Sequence, residues 1–136
     1  MVSSSGKALG ASSAALAVAG DRVSGPPACL LHFYATECAL KAAIVKHHKV
    51  GGWDGLTADI RSEHQHHDLR RLARATSMGG AAARDLIDCR QRGTAERVHI
   101  REAHAAWRYG VKLNPTDETR LVGALVAVRE WIAQRL

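Results

Sequence analysis

The sequence predicts an all-α fold, and three observations predict it. Apolar residues recur at helical spacing in most segments, while alternating β-branched runs are few. Alanine is abundant and aromatic residues are only 4% of a chain that is 46% hydrophobic, so the elements must pack closely through small side chains with Leu, Ile, Val and three Trp between them. Proline and glycine punctuate the chain where helices should start and stop. A length of 136 residues suits one compact domain, expected to span 1–136.

Ser3 to Ser5 offer N-caps to a first helix ending near Gly20, with Leu9, Ala14, Leu16 and Val18 expected on its buried face. Residues 21–27 form a turn, and Pro26 and Pro27 suit the first turn of a second helix over 27–48. The run VGGWD then ends it, with Trp53 expected to fold back over the core. Residues 56–65 fit a loop or a short helix. From His67, HDLRRLARA places Leu69, Leu72 and Ala73 at helical spacing beside Arg70, Arg71 and Arg74, an amphipathic helix with a basic outer face broken by Met78-Gly79-Gly80. Helices are expected over 81–90 and 94–109, the latter stopped by Gly110. Asn114-Pro115-Thr116-Asp117 is a strong helix start, and Leu121, Leu125, Val128 and Ile132 form the buried stripe of the last helix.

The second helix is the centre of the pattern. In FYATECALKAA, apolar residues occupy nearly every side, while Leu30, Tyr34, Glu37, Lys41 and Ile44 share one stripe. Glu37 and Lys41 stand four apart in the favourable order, so Tyr34, Glu37 and Lys41 are expected to form a structural polar thread. A core helix with one internal ion pair explains these residues without any activity.

The net charge of +6 and pI near 9.7 permit an anionic partner without requiring one. Cys29 and Cys38 on one helix would be roughly 13 Å apart along its axis, too far for a disulfide, which points to reduced thiols and a cytoplasmic setting. No apolar run is expected to reach the roughly 20 residues that span a membrane. There is no nucleotide-loop motif and no nucleophilic triad, and no cofactor is expected.

Three pieces follow one another in order: Tyr34 with Glu37-Cys38-Ala39-Leu40-Lys41-Ala42, then His67-Asp68-Leu69 with Leu72, then Trp107-Arg108-Tyr109 ahead of a last helix holding Trp131-Ile132. That succession resembles the HEPN family of small helical domains, in the branch where a GY-x-x-ECALKA helix precedes an HDL-x-x-L helix. Phe33 stands here in place of the usual glycine. The resemblance covers about residue 30 to the C-terminus. It implies an up-and-down bundle of four to five helices that forms a homodimer. Many members are metal-independent endoribonucleases of toxin–antitoxin, CRISPR-linked and antiphage systems; others are noncatalytic and bind nucleic acid, nucleotides or partner proteins. The implied partners are therefore RNA, a cognate antitoxin or another operon partner protein.

The nuclease mark of that family is an arginine, four to six residues, then a histidine. Arg97 and His104 meet it, as do Arg92 with His99 and Arg61 with His66 or His67. If 94–109 is one helix, Arg97, Arg101, His104 and Arg108 fall within roughly 60° of one another, a basic ridge. RNA carries its own nucleophile, the 2′-hydroxyl, so a histidine near neutral pKa and a fixed cation suffice for cleavage. The expected roles are Arg97 and His104 as the catalytic pair, with Arg101 and Arg108 binding the RNA backbone. A solvated or partner-facing charged ridge accounts for the same residues, and Val98 stands where a polar residue often follows the family arginine. The run holding His64, His66 and His67 has no cysteine, and the adjacent His66 and His67 point differently in any regular element, so no metal site is expected there. His67-Asp68 reads as a helix start, and Trp107 as core rather than a base-stacking platform.

Overall fold

The computed structural model describes residues 5–63, 67–76 and 81–135, and these are mostly helical. Ser3, Ser4, His64, His66 and the Met78-Gly79-Gly80 stop lie outside them. The helices are α1 (Gly6–Asp21), α2 (Pro26–His47), α3 (Ala58–Glu63), α4 (Leu69–Ala75), α5 (Ala81–Arg84), α6 (Ala103–Tyr109) and α7 (Pro115–Ala133), with 3-10 turns at Trp53–Gly55 and Ile100–Glu102. Two short antiparallel strands, β1 (Cys89–Arg90) and β2 (Arg97–Val98), pair Cys89 with Val98 and Arg90 with Arg97.

The caps expected from sequence explain most boundaries. Ser5 accepts from the Ala8 amide at the start of α1, and the Asn114 side chain accepts from the amides of Thr116 and Asp117 ahead of Pro115. Asp68 accepts from the Arg71 amide to begin α4, and Gly110 closes α6 in the left-handed conformation at φ 78°.

Helix α2 is the axis of the molecule, packed against α1, α4, α6 and α7. Phe33, Leu40 and Ile44 are fully enclosed along it, and they meet Leu69 and Leu72 of α4 and Leu121, Leu125, Val128 and Ile132 of α7 in one core. Two buried hydroxyls tie the neighbours on: Ser13 donates to the Ala35 carbonyl and Thr36 to the Leu125 carbonyl, each at 2.7 Å. By length and composition α2 could cross a membrane, which corrects the expectation that no such run exists; 61% of its most apolar stretch is buried inside the protein, as a core helix requires.

Three other expectations change. Helix α1 buries Ser13, Ala17 and Gly20 rather than Ala14 and Val18, because small residues let it lie close on α2. The helix expected over 81–90 is confined to Ala81–Arg84, and the one expected from Thr94 begins at Ala103. Between them the chain makes the β1–β2 hairpin. Its turn uses Gly93 at φ 76°, with the Gln91 amide bonded to the Glu96 carbonyl. Two carboxylates hold this segment out of helical register. Asp88 accepts from the Ile100 amide, and Asp117 accepts from the Arg90 amide and its guanidinium, so side chains satisfy backbone donors that a helix would have paired.

Candidate functional site

The break in the 94–109 segment dissolves the expected ridge. Arg97 lies on β2, Arg101 in the 3-10 turn, and His104 and Arg108 on α6. Arg97, Arg101 and Arg108 are exposed, but they do not form one helical stripe.

What the fold does assemble is a histidine pair. His67, just ahead of α4 with a left-handed φ of 59°, sets its Nδ1 2.6 Å from Glu37 Oε2 on α2. An ionised carboxylate only accepts, so His67 Nδ1 carries the proton of this bond and Nε2 is left for the cavity. The His104 ring lies with its centroid 4.2 Å from that of His67. A cavity of about 260 Å³ opens beside them, lined by His67, Arg101, Glu102 and His104. The Glu37 side chain is only 10% exposed, against 41% for His67, so the carboxylate is the buried anchor and the imidazole the reachable group.

His104 is set from below by aromatic packing. Phe33 stacks on it at 5.5 Å and 28°, Tyr34 lies at 6.4 Å, and Trp107 meets the edge of Phe33. Its Nδ1 is enclosed with no well-formed hydrogen bond among the described residues, the Arg101 backbone acting only as a weak acceptor. Burial first, then the charge of His67, push the His104 pKa below the ordinary histidine value; Glu37 and Glu102 oppose them less. Because Nδ1 is enclosed, Nε2 is the ring nitrogen left to the cavity.

The polar thread takes a branched form. Glu37 Oε1 is 3.9 Å from Lys41 Nζ, and Lys41 also stands over the Trp53 ring at 5.1 Å. Tyr34 reaches the site through its ring. Trp107 is core, its indole donating to Glu118 at 3.0 Å, while Arg108 lies over the ring of Tyr109, which is exposed.

Arg97 faces a second cavity, of about 280 Å³, together with Arg70, Arg90, Arg120, Asp88 and Asp117. His99 contacts one residue of each lining. Arg70 Nη2, which lines the second, is 3.0 Å from His99 Nε2, and the amide of Arg101, which lines the first, is 3.2 Å from His99 Nδ1.

Neither the sequence nor the fold has a match among protein-family models, curated proteins or solved structures. The arrangement must therefore be read from its own chemistry. Among the described residues no cluster of three or more His, Cys, Asp or Glu is arranged to hold a metal ion. Two imidazoles face one cavity, one anchored by a carboxylate and the other held toward its neutral form, with a cationic guanidinium beside them. That set can take a proton from one atom and give a proton to another around an anionic centre.

His67 is named from the sequence only for its spacing from Arg61 and as a helix start, not as the partner of Glu37 and His104. It reads as a helix start because Asp68 caps α4, and its link to Glu37 joins residues thirty apart in the chain. The link to Glu37 itself has no sequence signal, since Lys41 one turn away already accounts for the carboxylate.

Proposed function

We propose that the protein is an HEPN-like, metal-independent endoribonuclease that binds single-stranded RNA. The observation that carries this reading is the pairing of His104 with the Glu37-anchored His67 over a cavity that Arg101 also lines.

In the proposed reaction His104 Nε2 removes the proton of the 2′-hydroxyl. The 2′-oxygen then attacks the adjacent phosphorus, and the bond to the 5′-oxygen breaks as that bond forms. His67, entering protonated, gives its Nε2 proton to the departing 5′-oxygen. The products are a 2′,3′-cyclic phosphate and a 5′-hydroxyl, and the proton taken up by His104 returns to solvent. Arg101 neutralises the charge gathering on the phosphoryl oxygens, and Glu37 holds the tautomer and direction of His67. The low pKa of His104 supports its role as the base at neutral pH. Arg108, beside the exposed Tyr109 ring, is suited to contact the strand further along. The same reading includes pairing of two copies, as the family resemblance implies.

The test is cleavage of labelled single-stranded RNA in excess EDTA. His104→Ala and His67→Ala should each slow cleavage by about 10² to 10⁴, and products of the intact protein should carry cyclic phosphate ends. An intact, folded protein that leaves the RNA whole would overturn the assignment.

A further inference from the structure

The second cavity has a composition of its own. Asp88 and Asp117 are its least exposed charged side chains, at 20% and 12%, whereas Arg70, Arg90 and Arg120 stand at 34%, 54% and 54%. Each aspartate is already committed. Asp88 Oδ1 receives Arg70 Nη2 and the Ile100 amide, and Asp117 receives the Arg90 amide together with Nε and Nη2 of the same side chain. The acids therefore act as the floor that aims the arginines. Arg120 gives one Nη2 bond to Asp85, outside the lining, and the Arg97 side chain makes no hydrogen bond or ion pair among the described residues.

A guanidinium has five N–H donors and no acceptor, so most donors of these four arginines are left unspent. The lining holds four arginines against two aspartates, a surplus of positive charge in a concave site. Arg70, Arg90 and Arg120 each have an aspartate partner, Arg120's being Asp85 outside the lining, so the uncompensated charge is that of Arg97, and a tetrahedral oxyanion with several acceptor oxygens answers that charge and the unspent donors.

The position of the cavity says which anion. His67 of the histidine cavity and Arg70 of this one flank the Asp68 cap at the start of α4, and His99 contacts Arg70 on one side and the Arg101 amide on the other, linking residues of the two linings. A ligand that fills both must present negative groups in series, as a nucleic-acid backbone does.

We propose that the cavity of Arg70, Arg90, Arg97 and Arg120 is a phosphate subsite that holds a backbone phosphate flanking the one at His104. The proposal rests on the single-stranded RNA reading above. It moves Arg97 from the reacting phosphate to a neighbouring one.

A fluorescent 2′-deoxy oligonucleotide lacks the nucleophile, so its binding can be measured without cleavage. Arg97→Gln breaks no side-chain hydrogen bond or ion pair among the described residues, and Arg120→Gln loses only one exposed ion pair, so both variants should fold, which circular dichroism checks. Each should weaken binding about tenfold at low salt and lower the slope of log affinity against log salt by about 0.7, the value for one phosphate contact on a single strand. Lys7→Gln, remote on α1, removes the same charge and should leave the slope unchanged. Unchanged slopes in Arg97→Gln and Arg120→Gln, an equal fall in Lys7→Gln, or no binding by the intact protein would each overturn the subsite. Arg97-dependent binding by a protein that fails to cut RNA would uphold the subsite and refute the nuclease reading.

Discussion

Glu37 and His67 lie thirty residues apart in the chain and 2.6 Å apart in space, and this bond joins the core helix to the cavity. Replacing the carboxylate separates anchoring from chemistry. Glu37→Gln keeps an oxygen acceptor but removes the charge and leaves Lys41 without its anionic partner. Stability should fall by about 1–3 kcal/mol, and RNA cleavage should fall about tenfold or more. Chemical denaturation beside a cleavage assay would check both.

His104 makes stability depend on pH. Its pKa is lowered in the folded protein, so between the folded and unfolded values the unfolded chain binds more protons. The corresponding stability is present above about pH 6.5, the ordinary histidine value, and is lost as the pH falls through the folded value. Thermal melts of the intact protein and His104→Gln across pH 5 to 8 should therefore diverge on the acid side, the variant losing less. Parallel curves would remove His104 as the source.

Phe33 is fully enclosed and supports His104 from beneath. Phe33→Leu should destabilise by about 1–2 kcal/mol, since it trades an aromatic contact for a smaller group. It should also shift the His104 titration seen by NMR, because the ring would lose the surface against which it is buried.

The thiols should be slow to react. Burial is the main cause that raises Cys29 to about 11 and Cys89 to about 12, with Glu118 adding to the first and Asp117 to the second. At pH 8 only about one Cys29 in a thousand would be thiolate. Iodoacetamide should thus label the native protein far more slowly than the urea-unfolded chain, with Cys89 the last to react.

Asp117 holds the hairpin to the last helix. Arg90 keeps its carboxyl below the usual carboxylate range, so its contribution is present above about pH 4 and fades as acid protonates it. Asp117→Ala should cost about 1–3 kcal/mol by leaving the Arg90 amide without its acceptor. Hydrogen exchange should rise first at Arg90 and its hairpin neighbours.

The sequence made α1, α2, α4 and α7 legible because their ends carry local signals: Ser5, the prolines at 26 and 27, Asp68, and Asn114 with Pro115. The segment 88–102 was not legible. Arg97, Arg101, His104 and Arg108 recur at helical spacing, yet Asp88 and Asp117 capture the Ile100 and Arg90 amides, and no local pattern announces bonds to residues 12 and 27 positions away. His104 and Arg101 do share one cavity, while Arg97 faces another, since the hairpin turns it away from α6. The arginine–histidine spacing joins neighbours in sequence; the cavity joins His67 to His104 across separate elements.

His99 is asked for more than it has. A neutral imidazole owns a single ring lone pair, yet both its nitrogens face N–H donors, one from Arg70 and one from the Arg101 amide. The two claims exclude each other. In the structure the Arg101 amide takes that lone pair, so His99 caps the turn leading to His104 and its Nε2 is the nitrogen that meets Arg70. One imidazole thus ties the Arg101 turn ahead of His104 to the arginine at the start of α4.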